Sequence, residues 1–133
     1  MIELMLAAAA FVQAADPCHA INAPPRGCPA WRPVFRDGGR DVTVDPASVR
    51  RSGATFEIRH RAIFAEPLDG ARSVIMTYRF DCSARTVATV HVIFYDVNGV
   101  PVSQATMTGA DAAPRAAPPA SHFGAMLTEF CTP

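Results

Sequence analysis

The stretch that most constrains the fold is residues 73–95, in which apolar and polar residues alternate on both sides of a short polar turn. Successive side chains of a β-strand point to opposite faces of a sheet, so this alternation predicts two antiparallel strands with one buried face. The turn is predicted at residues 83–85. The inward residues of the first strand would be Val74, Met76, Tyr78, Phe80 and Cys82. Cys82 is thus expected to point into the core at the end of a central strand.

The second strand of this hairpin supplies residues to both faces of the predicted sheet. Its inward row would be Ala88, Val90, Val92 and Phe94, with Thr89, His91 and Tyr95 on the outer face. The outer face would also carry Ile75, Val87 and Ile93, which makes it more apolar than a fully hydrated face. We therefore expect the outer face to be partly covered, by the N-terminal segment or by a second copy of the chain.

Shorter patterns on either side predict the remaining strands. Residues 42–45 form a short strand that ends at Pro46, and residues 55–64 alternate so that His60 faces inward. Asn98 and Gly99 between apolar residues favour a two-residue type I′ turn. Residues 100–107 would then form the last antiparallel strand.

The C-terminal segment predicts a helix with one apolar face. Ser121 is a good N-cap residue. The apolar residues that follow at the spacing of one helical face are Phe123, Met126, Leu127 and Phe130. The predicted fold class is therefore α+β, a five- to six-stranded antiparallel sheet with one C-terminal helix packed on it.

Length and charge narrow the classes of function. The chain has 133 residues, enough for one domain with a modest core. Twelve acidic residues balance twelve basic ones, so no overall field favours nucleic acid or a membrane surface. No stretch is long enough to predict a stable membrane span.

The first 15 residues resemble a secretory signal peptide. A short apolar run is followed by small residues that suit cleavage before Ala15 or Asp16, although no positive charge precedes the run. The alternative is a buried N-terminal helix. Residues 16–30, the lead-in, are rich in proline and lack periodicity. Trp31, the single tryptophan, would be the first core residue of the folded part.

Four cysteines allow three disulfide connectivities. Export makes disulfides the default. The closeness of Cys18 to Cys28 and the inward position of Cys82 favour Cys18 with Cys28 and Cys82 with Cys131. The first pair would close the lead-in and the second would join the helix to the central strand. A metal site at Cys18, His19 and Cys28 is the weaker alternative, because their spacing matches no common zinc pattern.

The residue types needed for catalysis do not come together in this sequence. His60 is expected to be a hydrogen-bonded core histidine, and no nucleophile motif or glycine-rich phosphate loop occurs. We predict no catalytic residue, no metal site and no cofactor. The possible ligand-binding surface is the outward row Arg59, Arg61, Arg79, His91 and Tyr95, which suits carboxylates or sulfated sugars. The alternative is a hydrated sheet face whose arginines are offset by Glu57 and Asp81.

The order and spacing of several residues between Trp31 and Cys131 resemble the surface-adhesin protein E family of bacterial envelope proteins. The residues that carry the resemblance are Trp31, Val44-Asp45, Ser48-Val49, Arg51, Gly53, Tyr78, Asp81-Cys82, Arg85, Tyr95-Asp96, Asn98-Gly99 and Cys131. The resemblance implies a small antiparallel sheet with a helix against it and a Cys82–Cys131 bridge. It also implies an adhesin-like role, since an adhesin of this family binds host matrix proteins such as vitronectin and laminin and can dimerise.

These observations together predict a signal peptide at 1–15, a disulfide-closed lead-in at 16–30 and a surface-adhesin-E-like domain at 31–133. The expected function is that of an exported, non-catalytic binding domain in the periplasm or at the cell surface. Its partner would be an extracellular protein or glycan, with a homodimer as a further possibility. The alternative function is a structural accessory subunit of an envelope complex.

Overall fold

The computed structural model describes residues 14–21, 25–37 and 40–132, and its centre is an antiparallel sheet of seven strands. Six strands lie side by side in chain order: β1 Arg32–Asp37, β2 Arg40–Ser52, β3 Thr55–Leu68, β4 Ala71–Asp81, β5 Thr86–Tyr95 and β6 Pro101–Thr106. The two-residue β7, Arg115–Ala116, pairs with β5, and the C-terminal helix α1 is His122–Phe130. The predicted fold class is confirmed. Residues 1–13 of the predicted signal peptide lie outside the described residues.

The core lies between one face of the sheet and α1. Its largest fully buried side chains include Phe56, Phe80, Met126 and Leu127. The rings of Phe56 and Phe80 are stacked with their centroids 4.9 Å apart, on the neighbouring strands β3 and β4. The alternation of apolar residues predicted for these two strands is therefore the pattern that the helix covers.

The N-terminus of α1 is fixed by a side-chain cap and by close backbone packing. Ser121 Oγ accepts a hydrogen bond from the Gly124 N–H at 3.3 Å, as an N-cap does. A Cβ at Gly124 would lie 2.5 Å from the backbone oxygens of Pro118 and Pro119, so the preceding loop requires glycine here. The C-cap residue of the helix, Cys131, forms the predicted disulfide with Cys82.

The inward row predicted for β5 is wrong in its first half because β5 contains a bulge. Thr77 pairs with His91, but the next residue, Tyr78, pairs with Thr89. One extra residue in a strand inverts the faces of all residues beyond it. Val87 therefore lies opposite Phe80 and belongs to the core. It does not lie on the outer face.

Strand β2 continues past Pro46, where the sequence predicted its end. The pairing with β3 is irregular between Asp45 and Arg50, and this bulge accommodates a proline that cannot donate to the ladder. Ser48 holds the bulge in place. Its hydroxyl donates to the Asp45 carbonyl at 2.6 Å and accepts from the Arg59 N–H at 2.8 Å.

The loop between β5 and β6 differs from the type I′ turn that Asn98 and Gly99 predicted. A type I′ turn needs positive φ at both central residues, and here only Gly99 has it, at 80°. The Asp96 carboxylate instead accepts hydrogen bonds from the Asn98 and Val100 N–H groups, both at 2.9 Å. The aspartate thus provides a local partner that the dipeptide signal does not include.

Candidate ligand-binding surface

The outer face of the sheet is partly covered by the described residues of the lead-in, one of the two alternatives that the sequence left open. The Asp16 N–H donates to the Gly99 carbonyl at 2.8 Å, and the Ile21 N–H donates to the Val97 carbonyl at 3.1 Å. These bonds attach the start of the lead-in to the β5–β6 loop. A Cβ at Gly99 would lie 2.1 Å from the Asp16 carbonyl oxygen, so this attachment requires glycine at position 99.

The lead-in is closed by the predicted disulfide between Cys18 and Cys28, whose Cα atoms are 5.3 Å apart. Its first turn, Pro17–His19, is a short 3-10 helix capped by Asp16, whose carboxylate accepts from the Cys18 N–H at 3.0 Å. Proline suits the start of such a turn because its missing N–H is not needed there. This capped turn has a defined conformation that presents His19 to the sheet.

Tyr95, one of the five predicted surface residues, lies beneath the lead-in. It is only 6% exposed, and its ring lies 4.2 Å from that of His19, which is 7% exposed. Burial raises the pKa of the Tyr95 hydroxyl, and burial also lowers the pKa of His19, against the opposing effect of the Asp16 carboxylate. Both rings are therefore neutral packing groups at neutral pH.

Arg59 and Arg61 contact Trp31, the residue that follows the lead-in. The guanidinium carbon of Arg61 is 4.7 Å from the centroid of the Trp31 ring, and that of Arg59 is 5.8 Å away. Both distances are within the range of cation–π attraction. Trp31 thus packs on the outer face and belongs to neither hydrophobic core cluster. The prediction that it is the first core residue of the folded part is wrong.

Several N–H donors of Arg59, Arg61 and Trp31 have no hydrogen-bond partner among the described residues. The Nε atoms of Arg59 and Arg61 and the Nε1 atom of Trp31 are buried without a hydrogen-bond partner among the described residues. Burial lowers the pKa of the Arg61 guanidinium, since desolvation disfavours its charged form. The outer face therefore holds two guanidinium groups whose buried Nε donors no described residue satisfies.

Arg79 and His91, the other two predicted residues, lie on the same face in different environments. Arg79 is exposed and forms an ion pair with Glu57, in which Nε and Nη2 donate to one carboxylate oxygen at 3.0 and 2.7 Å. His91 is half-buried and lies across from Thr77 in the β4–β5 register. Arg79 is offset by Glu57, as the alternative of a hydrated face proposed, whereas Arg59 and Arg61 are not paired in this way.

A polar depression of about 400 Å³ opens beside Arg59. Its lining comes from the β2 bulge and from the adjoining positions of β3 and β4: Asp45, Ala47, Ser48, Arg50, Glu57, Ile58, Arg59 and Thr77. Sequence analysis missed the contribution of Ser48. The only signal for it was the Asp-Pro-Ala-Ser sequence, in which aspartate and serine are typical of hydrogen-bonded turns.

On the helix-covered face, His60 is buried in an aromatic cluster. It is 3% exposed, its ring lies 5.2 Å from those of Tyr78 and His122, and neither of its nitrogens has a hydrogen-bond partner among the described residues. The predicted hydrogen bond is therefore absent there. Burial lowers the pKa of His60 to about 3, with smaller effects from His122 and Arg40. A neutral, enclosed histidine of this kind contributes packing.

Among the described residues, no three histidine, cysteine or acidic side chains come close enough to hold a metal ion. No helix in the described part of the chain has both the length and the apolarity needed to cross a membrane.

The fold is similar to that in several crystal structures of one bacterial protein. Haemophilus influenzae protein E matches with a TM-score of 0.60 and 13% identity, covering 90% of each chain. A second crystal form matches with a TM-score of 0.57 and 16% identity, covering 82% of this chain and 93% of that one. Protein E from non-typeable H. influenzae gives a TM-score of 0.55 at 16% identity, covering 82% and 80%. At these identities the likeness establishes the fold.

Comparison of the sequence with protein-family models identifies the family of this chain. No curated protein sequence matches significantly. The family model described as surface-adhesin protein E matches residues 31–132, which include both strands of the central hairpin, Trp31 and the Cys82–Cys131 bridge. The chain belongs to the surface-adhesin protein E family.

Proposed function

We propose that this chain is an exported, non-catalytic binding domain of the bacterial envelope with an adhesin-like role. Family membership over residues 31–132 supports the role. The observation that carries the proposal is the pair Arg59 and Arg61, which have no carboxylate partner among the described residues; Arg59 also lines the polar depression. An anionic group on an extracellular protein or glycan complements such a pair.

Export to the periplasm or the cell surface is part of the same proposal. The two disulfides, Cys18–Cys28 and Cys82–Cys131, support it because structural disulfides persist in oxidising compartments. Residues 1–15 would act as the signal peptide, so that the mature chain begins near Asp16. The lead-in would then be the N-terminus of the mature protein.

A second candidate function is that of a structural accessory subunit of an envelope complex. The observation that favours it is a set of exposed apolar side chains toward the margins of the sheet. Phe35 is 41% exposed, Leu68 54% and Val102 47%. Apolar side chains at an edge strand such as β6 suit a fixed protein partner.

The experiment that tests the proposal starts from the full chain, expressed in a Gram-negative host and purified from the exported fraction. Intact mass should correspond to a chain that begins near Asp16 with both bridges formed. Biolayer interferometry then measures binding to immobilised laminin, vitronectin and heparin. We expect saturable binding to at least one of them, weakened by Arg59→Ala more than by Arg79→Ala, because Glu57 already offsets Arg79.

Three results would count against this function. An intact mass that still includes residues 1–15, together with four free thiols, would contradict export to the envelope. Absence of saturable binding to all three ligands, together with co-purification of one stoichiometric partner, would favour the accessory subunit. Equal losses for the two arginine variants would show that net charge, and not the Arg59 site, determines the binding.

A further inference from the structure

Arg59 and Arg61 are unusual because half-buried guanidinium groups normally have an anionic or hydrogen-bonding partner. They are two residues apart on β3 and therefore lie on the same face. Within residues 14–21, 25–37 and 40–132, neither guanidinium group donates a hydrogen bond or forms an ion pair. Removing an unpaired charge from water is costly, so a partner for these groups would stabilise this region.

The carboxylates on this part of the sheet already have partners of their own. Asp45 lies opposite Arg59 in the β2–β3 register, but its carboxylate accepts from the Ala47 N–H at 3.2 Å. Glu57 forms the ion pair with Arg79. The sheet therefore places two cations together, and neither of these carboxylates forms an ion pair with them.

The positive charge of the pair is also evident at the lead-in. After burial and the opposing effect of Asp16, Arg59 and Arg61 are the next causes of the lowered pKa of His19. Both guanidinium groups thus act on the same buried ring. The lead-in, the tryptophan and the two arginines form one electropositive cluster.

Trp31 is suited to orient the two arginines. A guanidinium group that lies against an aromatic ring is held by its face, which leaves the N–H groups at its edge available for an oxygen acceptor. The planar fork of arginine matches the oxygens of a carboxylate or sulfate group. Contact with one ring also reduces the rotamer freedom that each arginine would otherwise lose when a ligand binds.

We infer that Trp31, Arg59 and Arg61 form a binding site for the anionic group of an acidic glycan, a sulfate ester or a uronic carboxylate. Arg59 and Arg61 donate to the anionic oxygens, and Trp31 is the positioning residue. The adjoining depression receives the sugar ring, since Asp45, Glu57 and Thr77 line it with groups that pair with hydroxyls. This assignment rests on the proposed binding function and specifies its ligand class.

The site includes Trp31, which lies between the lead-in and β1, so the strands alone do not form it. This arrangement makes the test direct, because the chain has a single tryptophan. Selective excitation of tryptophan in the exported, disulfide-bonded protein therefore reports only on Trp31. The probe is a heparin-derived disaccharide, titrated at constant ionic strength, with a neutral disaccharide as the ligand control.

We expect a saturable change in Trp31 emission with the acidic disaccharide and none with the neutral one. Arg59→Ala and Arg61→Ala should each weaken binding by roughly tenfold or more, the range for a lost charge-assisted hydrogen bond. Arg36→Ala is the matched control, because Arg36 is an exposed arginine that forms an ion pair with Asp41 and does not line the depression, and the change should leave the affinity unchanged.

The positioning role of Trp31 needs a variant that separates ring contact from simple packing. Calorimetry replaces fluorescence here. Trp31→Phe keeps an aromatic face and should retain most of the affinity, whereas Trp31→Leu fills space without one and should lose as much as Arg61→Ala. Equal affinities for the two variants would overturn the role of the ring.

The assignment as a whole would be overturned by a signal that does not saturate or by an equal loss of affinity in Arg36→Ala. It would also be overturned if the neutral disaccharide bound as well as the acidic one. Its failure is distinguishable from that of the proposed function. Matrix-protein binding without disaccharide binding would reject the glycan site alone, and disaccharide binding without matrix binding would reject the adhesin-like role alone.

Discussion

The two faces of the sheet are built from the same strands but differ in how their buried groups are satisfied. Beneath α1 the buried residues are apolar and interdigitated, with His60 as an exception. Beneath the lead-in the buried set includes His19 and Ser73, and the buried Nε atoms of Arg59 and Arg61 lack partners among the described residues. One face therefore specifies the fold, whereas the other retains groups that reduce stability and are candidates for binding.

Removal of either disulfide should give the largest loss of stability, and the loss should be greater on the helix-covered face. Replacing Cys82 and Cys131 by alanine opens a loop of 49 residues and should lower the free energy of unfolding by about 4 kcal/mol by chain entropy. Replacing Cys18 and Cys28 opens a separation of only 10 residues, for which the same argument gives about 3 kcal/mol. Urea unfolding of the oxidised proteins, followed by circular dichroism, measures both.

The control for this comparison is a local probe. The Cys18/Cys28 double variant should change Trp31 emission before the sheet unfolds, since that bridge closes the segment next to Trp31. If it instead lowered global stability by more than the Cys82/Cys131 variant, the lead-in would be part of the folding core. The division of the molecule into two differently stabilised faces would then be wrong.

Acidification should weaken the helix-covered face through His60. The pKa of His60 is about 3 in the folded protein and near 6.5 in the unfolded chain, so the unfolded chain binds more protons between these values. The contribution of neutral His60 to the free energy of unfolding should therefore be fully present above pH 6.5. Below that pH it should decrease by about 1.4 kcal/mol per pH unit. The groups that act on His60 are His122 and Arg40, and both oppose its protonation.

His60→Phe is the variant that isolates this effect. It keeps an aromatic ring next to Tyr78 and should flatten the dependence of unfolding free energy on pH between 7 and about 5, above the range in which most carboxylates titrate. His19 keeps its own contribution in both proteins. A wild-type curve parallel to that of the variant would show that His60 is protonated without cost, and the face beneath α1 would be less closed than described.

The alternation of residues 73–80 and 55–64 was enough to predict the core, because burial of one sheet face imposes a period of two. The helix was equally predictable from Ser121 and its apolar spacing. The β5 bulge was not predictable. It is one extra residue between Thr89 and His91, and such an insertion leaves no mark in the composition of the strand. The same is true of the end of β3, which continues to Leu68 beyond the predicted strand at residues 55–64 and turns into β4 at Asp69 and Gly70.

The candidate site was predictable only as a row of arginines. Alternation placed Arg59, Arg61 and Arg79 on one face, and the structure agrees. Which of them has a partner depends on contacts between distant segments, such as Trp31 with β3 and Glu57 with Arg79. Local propensity and periodicity do not encode those contacts, so the difference between a paired and an unpaired arginine required the three-dimensional structure.

The smallest expected effects compare two arginines on this face, and their sign is more informative than their size. Arg79→Met removes an exposed ion pair and should cost less than about 1 kcal/mol, decreasing further with added salt. Arg61→Met removes a desolvated charge and its attraction to Trp31 together, so unfolding free energy should stay unchanged or rise. Urea unfolding at low and high salt measures both variants. If Arg61→Met were the more destabilising change, Arg61 would be a structural cation stabilised by Trp31, and its retention would need no ligand. If Arg61→Met instead kept its stability but lost affinity for the acidic disaccharide, Arg61 would be retained for binding despite its cost in stability. Such a cost is expected at a functional site.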